Sequence, residues 1–320
     1  MSYSVMENYK PGIDRLQDTE VGSSVLIKKL GAEVISYKIK SPSGEDIPLM
    51  WNDGLTEPPS AEDWKGHATV LFPIVGGLKE NKSIYKGKPI TMPSNHGFAR
   101  KTELETESVN EEGEASITYV LRSSSETRKY YPFDFVFLLK YALRGDKLEA
   151  SFTVRNTGTG DLPCQFGWHP GFSCSFGAGG KKEDCQVLFN ETSAVHYGVL
   201  PPGNDSFLTG EKEEVRLGGA YKWTESGLDA TYMFDIPEES ARTCTLFNPL
   251  VKRGVRVVFH DFPQLGLWAN PGQNYICVEP WQGMDDHDRQ EAFEDKVGMI
   301  FIKAGDEVCK KAEIAPVFSL

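Results

Sequence analysis

Residues 148–155 alternate without a break. Leu148, Ala150, Phe152 and Val154 fall on one face of an extended chain, and Glu149, Ser151, Thr153 and Arg155 fall on the other. Successive side chains of a strand point to opposite faces, so this pattern buries one face and leaves the other to water. The same alternation sets Ile35, Tyr37 and Ile39 against Lys38 and Lys40, and Val255, Val257 and Phe259 against Arg256 and His260. Between such segments lie turn signals: Ser41-Pro42-Ser43-Gly44, Glu111-Glu112-Gly113-Glu114, Arg144-Gly145-Asp146-Lys147 and Asn156-Thr157-Gly158. Each is short enough to join neighbouring strands as an antiparallel hairpin. Helical periodicity is scarce, and its best candidate is a turn or two around Asp286 to Phe293. Half-wetted sheets with few helices must bury their apolar faces on one another, which predicts an all-β sandwich or barrel, mostly antiparallel.

Length alone, 320 residues, is compatible with two domains, but no linker, repeat or low-complexity run divides the chain, and all-β folds often run long. One domain over residues 1–320 is expected. Hydrophobic residues at 39% and charged residues at 25% supply a large core and exclude intrinsic disorder. A net charge of −12 with no basic stripe repels phosphate backbones and anionic lipid, so neither nucleic acid nor membrane is an expected partner. No stretch approaches the roughly 20 apolar residues of a membrane span. Met1 to Arg15 lacks the apolar centre of a signal peptide, so a cytoplasmic protein is expected. Six scattered cysteines without a C-x-x-C pair read as thiols, mostly buried, rather than disulfides or zinc ligands. The run Gly177 to Lys182 reads as a mobile surface loop, with a lid as the lesser alternative.

Three polar motifs interrupt the strands: Asn95-His96-Gly97-Phe98-Ala99-Arg100, Gly167-Trp168-His169-Pro170-Gly171-Phe172 and Cys277-Val278-Glu279-Pro280-Trp281. They bring two imidazoles, a guanidinium and a carboxylate, the groups an acid–base reaction on a neutral small molecule needs. His169 and Glu279 each precede a proline, which biases their backbones toward extended conformations and stiffens their placement. Arg100 offers fixed donors to hydroxyls or a phosphate, or else pairs with Glu103 or Glu105. Trp168 and Trp281 flank the candidate acid and base and offer flat faces to a sugar ring. Trp51, Trp64, Trp223 and Trp268 read as core or rim. No H-x-H or H-E-x-x-H occurs, so no metal and no cofactor is expected. Asp285-Asp286-His287-Asp288 lacks the spacing of a calcium loop and reads as a solvated turn. G-x-S-x-G, the P-loop and G-x-G-x-x-G are all absent.

These motifs, with Leu71-Phe72-Pro73-Ile74-Val75-Gly76, Leu265-Gly266-Leu267-Trp268, Gly283, Asp285 and Lys296-Val297-Gly298, resemble the aldose 1-epimerases, or galactose mutarotases, and most closely the branch of the lac-operon X protein. The resemblance covers most of the chain. It implies the galactose mutarotase-like supersandwich, a large single-domain antiparallel β-sandwich. It also implies interconversion of the α and β anomers of an aldohexose, with Glu279 as general base and His169 as general acid. His96 and Arg100 are then sugar contacts, and Asp229 holds ring hydroxyls, with Asp235 its rival. Well-studied galactose mutarotases carry a longer asparagine-containing motif before the catalytic histidine and a glutamine after Glu-Pro, where this chain has Phe166-Gly167-Trp168 and Trp281. The sugar is therefore left unassigned by the resemblance. A hexose-6-phosphate 1-epimerase using Arg100 with Lys79 or Lys82, and a noncatalytic sugar-binding protein, are the alternatives. A monomer or homodimer is expected.

Overall fold

The computed structural model describes residues 2–51, 64–200, 207–222, 231–289 and 292–320. Among these, strands dominate; helix is confined to one four-residue α-helix, Thr127–Tyr130, and four short 3-10 turns. Every strand pairing within a ladder is antiparallel. The first five strands, from Tyr3–Lys10 to Asp46–Pro48, form a sheet in chain order, and a second sheet has fourteen strands.

The alternating segments become strands as read. In Lys147–Asn156, Leu148, Ala150, Phe152 and Val154 are buried while Arg155 is exposed. The turns after Ser41, Glu111 and Arg144 close hairpins between consecutive strands. The turn at Asn156 does not: Lys147–Asn156 pairs instead with the distant Glu307–Val317, and the chain passes to a separate two-stranded ladder. No helix forms between Asp286 and Arg289, where the chain bends; a 3-10 turn, Phe293–Asp295, follows at the end of the expected segment.

The large sheet turns back on itself, so that strands far apart in its order face one another. Phe72, near one end, stacks on Phe137, near the other, at 4.6 Å between ring centroids. Trp168 packs on Tyr141 and Phe152 in the same way. The five-stranded sheet closes onto this layer through tyrosine hydroxyls that satisfy buried acceptors: Tyr141 Oη donates to the Ala32 carbonyl at 2.8 Å and Tyr119 Oη to Asp14 Oδ2 at 2.7 Å. One continuous apolar cluster runs from Leu16 to Ile314 through both sheets. Among the described residues, no helix is long and apolar enough to cross a membrane.

Candidate active site

The site rises from one row of side chains across five neighbouring strands. Thr69 of Ala68–Leu71 pairs with His169 of Phe166–Ser173. His169 lies midway between the pairs Gly167↔Trp281 and Gly171↔Cys277, which sets it opposite Glu279 of Tyr275–Gln282. Glu279 pairs with Gly266 of Gln264–Trp268, and Gly266 pairs with Met233 of Tyr232–Asp235. Register places all five on the same face, and Trp281 and Trp268, two residues along, share it.

His169 Nε2 stands 3.0 Å from Glu279 Oε2. The approach is close but poorly aligned, for neither Glu279 oxygen has a hydrogen-bond partner of good geometry, and His169 Nδ1 has none either. Glu279 is fully buried. Burial raises its carboxyl pKa above the ordinary range, and the facing His169 opposes that rise. A buried carboxylate whose lone pairs have no well-aligned donor can accept a proton from a ligand.

His96 sits on a loop latched to the segment before Gly77. Its N–H donates to the Gly76 carbonyl at 2.6 Å, and the Gly76 N–H returns a bond to His96 Nδ1 at 3.0 Å. This double latch holds His96 in the left-handed region, at φ 64°, a conformation that costs a non-glycine residue roughly 1–3 kcal/mol. Because Nδ1 accepts a hydrogen bond, the neutral ring carries its proton on Nε2 and acts there as a donor. Burial, together with His169, Arg100 and Lys296, pulls the His96 pKa well below its usual value, so the ring is neutral at pH 7. Gly76 itself is at φ 64°, and a Cβ there would lie 2.1 Å from the Asp285 carboxyl carbon; only glycine lets the two segments close.

Aromatic rings form the walls. Trp64 lies 5.0 Å and Trp268 5.6 Å from the His169 ring, and Trp64 stacks on Tyr275. The Trp281 indole rests over Gly266, and Trp64 rests over Gly171, in space that a larger residue would occupy. The cavity, a partly open cleft, is about 220 Å³ and is also lined by Asn95, Arg100, Thr231 and Asp285. That is smaller than the roughly 300–1,000 Å³ of clefts for drug-sized ligands and suits a single sugar ring. The sequence matches the model of the aldose 1-epimerase family over residues 15–314.

The chain belongs to the aldose 1-epimerase family. It is 30% identical over 275 residues to protein LacX of Lactococcus lactis subsp. lactis, covering 82% of this chain and 85% of that protein. A solved structure of a galactose mutarotase related enzyme from Lactobacillus acidophilus is 29% identical, covers 99% of this chain and 98% of that one, and superposes with a TM-score of 0.79. A candidate glucose-6-phosphate 1-epimerase of Cenchrus ciliaris is 23% identical over 269 residues, 78% of this chain and 72% of that protein. The fold of this aldose 1-epimerase family member is accordingly the galactose mutarotase-like antiparallel sandwich.

Of the residues singled out in the sequence, His96, Arg100, His169, Glu279 and Trp281 meet around this cavity of the aldose 1-epimerase family fold. Trp168 does not. It alternates with His169 along its strand and therefore points the other way, fully buried, with Nε1 donating to the Ala68 carbonyl at 3.2 Å. Its expected role as a sugar-stacking face is corrected to a core role. Trp64 and Trp268, read as core or rim, line the cavity instead. Asp229 lies outside the described residues, as does Trp223; the rival Asp235 pairs with Gln264 in the sheet and does not line the cavity, whereas Thr231 and Met233 do. The acidic knot is no solvated turn: Asp285 and Asp286 are buried, accepting from the N–H groups of Gly77 and Lys79. Arg100 forms no ion pair with Glu103 or Glu105; among the described acids, Glu33 is the one that bears on its charge. The Gly177 to Lys182 run is a surface loop, exposed at Gly177, Ala178, Gly179 and Lys181, and anchored where buried Lys182 donates from Nζ to the Asn270 carbonyl at 2.7 Å; none of it lines the cavity. Five of the six cysteines are buried, and Cys309 is exposed.

Proposed function

We propose that this protein is an aldose 1-epimerase that interconverts the α and β anomers of an aldohexose by acid–base ring opening and reclosure. One observation carries the reading. A buried carboxylate and an imidazole nitrogen stand 3.0 Å apart, facing a cavity sized for one sugar ring. The two oxygens that exchange protons in mutarotation, the anomeric hydroxyl and the ring oxygen, are bonded to the same carbon. An acid and a base that are immediate neighbours match that spacing.

In the forward direction Glu279 takes the proton of the anomeric hydroxyl while His169, protonated on Nε2, gives its proton to the ring oxygen. The C1–ring oxygen bond breaks, C1 becomes an aldehyde and the ring oxygen a hydroxyl, with Glu279 one proton richer and His169 one proton poorer. Rotation about C1–C2 presents the other carbonyl face. Reclosure with the roles exchanged restores both residues and yields the opposite anomer. His96, neutral and donating from Nε2, and Arg100 hold sugar oxygens, while Trp281, Trp64 and Trp268 pack on the ring's C–H faces. Mutarotation proceeds in water unaided, and each positioned acid or base contributes about 10²- to 10⁴-fold.

A second reading, with a hexose 6-phosphate as substrate, is favoured by Arg100, a cation that lines the cavity. Lys79 and Lys82 give it less support: Lys79 lies over the Phe207 ring, Lys82 pairs with Glu80, and neither lines the cavity. The free sugar is therefore the preferred substrate. The test is anomer exchange by magnetization-transfer NMR on glucose, galactose and their 6-phosphates. Acceleration of free hexoses, insensitive to added phosphate, supports the reading. Acceleration confined to the 6-phosphates selects the second, and binding of sugar without acceleration leaves a noncatalytic sugar-binding protein.

A further inference from the structure

Mutarotation uses His169 and Glu279 and leaves a third group beside them without a task. Cys277 precedes Glu279 by two residues, so its side chain emerges on the same face of the same strand, paired across to Gly171. One ligand atom each from His169, Cys277 and Glu279 lie within 4.8 Å of one another, and all three residues are buried. Nitrogen, sulfur and carboxylate oxygen are the donor set that Zn²⁺ takes, and soft thiolate favours such an ion over Mg²⁺ or Ca²⁺. We propose that His169, Cys277 and Glu279 form a binding site for a thiophilic divalent cation of the Zn²⁺ or Cd²⁺ class, and that its occupancy switches sugar turnover off.

The geometry suits three protein ligands and one open position. In a tetrahedral site with the usual bond lengths, neighbouring ligand atoms are about 3.3–3.8 Å apart. The His169–Glu279 pair, at 3.0 Å, is slightly closer than that, and the spread of the three atoms is at most about an ångström wider. Shifts of about an ångström or less in the three side chains would close both differences. The second observation is independent of the cluster's composition: both oxygens of fully buried Glu279 lack a hydrogen-bond partner of good geometry. A buried carboxylate with free lone pairs gains more from a cation than a solvated one does. Binding forms a metal–sulfur bond and releases the Cys277 thiol proton to solvent, with no change of oxidation state. Two of the three ligands, His169 and Glu279, line the cavity. An ion held there engages the base's lone pairs and the imidazole, so neither proton transfer can occur. That inhibitory consequence rests on the mutarotase reading; the binding does not.

The full-length protein is titrated with Cd²⁺ in a chelator-free buffer while the thiolate-to-Cd²⁺ charge-transfer absorption is followed. Anomer exchange is measured in parallel with Zn²⁺. One Cd²⁺ per chain is expected, with the absorption abolished in Cys277→Ser. Zn²⁺ should inhibit the parent, EDTA should restore it, and Mg²⁺ should have no effect. Half-inhibition of Cys277→Ser, relative to its own metal-free rate, should need at least tenfold more Zn²⁺. If that variant does not fold, Glu279→Gln keeps the thiol and removes a ligand, and should bind Cd²⁺ at least tenfold more weakly. No absorption, absorption that persists in Cys277→Ser, unchanged affinity in Glu279→Gln, or activation by Zn²⁺ would overturn the proposal. Cd²⁺ bound at Cys277 in a protein that does not accelerate anomer exchange would keep the site and discard the mutarotase reading. Acceleration without metal binding would do the converse.

Discussion

Gly266 is where packing and activity are most tightly joined. It stands between Met233 and Glu279 in the row that carries the site, and its backbone needs no glycine: its φ lies outside the left-handed region. What it lacks is room. A Cβ built there would lie 2.7 Å from Cη2, 2.8 Å from Cζ2 and 3.1 Å from Cζ3 of Trp281, where ordinary contact begins near 3.4 Å. Gly266→Ala must therefore displace the six-membered part of the indole by about 0.7 Å, outward toward the cavity, because the sheet lies beneath it. Overpacking of this kind costs about 1–3 kcal/mol. At about 2 °C per kcal/mol for a chain of this size, Tm should fall by roughly 2–6 °C. Misplacement of a positioning wall by about an ångström can cost on the order of 10²-fold in rate, so anomer exchange should fall by about ten- to a hundredfold. Trp281→Phe removes the clashing ring. The double variant should therefore be less destabilised than the sum of the single variants, by roughly 0.5–3 kcal/mol. Calorimetry and NMR exchange on the four proteins complete the cycle. Additive effects, or an alanine variant with unchanged Tm and rate, would refute the claim that the indole is seated on Gly266.

Three further outcomes follow from burial and charge. Glu279 must be ionised to act as base, and burial raises its pKa above the ordinary 4.5, so kcat/KM should fall as pH drops through a value above 4.5; a pH–rate profile flat down to 4.5 would contradict this. His96 has a depressed pKa in the fold, so the stability it contributes is present above its unfolded value of about 6.5 and is lost as pH falls below it. Urea unfolding should show that slope between about pH 7 and pH 5, and His96→Gln should reduce it. Trp168→Phe gives up the bond to the Ala68 carbonyl and part of a core ring, so it should cost about 1–3 kcal/mol while leaving the sugar KM unchanged; a raised KM would return Trp168 to the site.

Alternation is a local signal, and it made the strands legible: Leu148 to Arg155 and Ile35 to Ile39 could be read because each carries a buried face and a wetted one. Strands buried on both faces gave no such signal. Phe166–Ser173 and Tyr275–Gln282 are buried throughout, so nothing in their composition told which face Trp168 takes. Parity along the strand would have helped: once His169 faces a cavity, its neighbour must face the core. Trp64 and Trp268 carry no local signal of the site: Trp268 comes beside His169 through the sheet register, and Trp64 from the loop before Ala68–Leu71. Asp285 and Asp286 looked solvated because their partners are the N–H groups of Gly77 and Lys79, more than two hundred residues away in sequence. The pairing of Cys277 with His169 and Glu279 has the same origin. Half of it, the i, i+2 spacing on one strand, was visible, and the other half was a register.

On the proposed mechanism Glu279, buried opposite His169, removes the anomeric proton, and this step carries the catalysis. It is tested most directly by the exchange rate between the anomers of a free aldohexose at neutral pH, compared for the parent, Glu279→Gln and no protein. The parent should accelerate exchange and the variant should lose about 10²- to 10⁴-fold of that rate, with sugar affinity retained. Exchange by Glu279→Gln within a few-fold of the parent would contradict it.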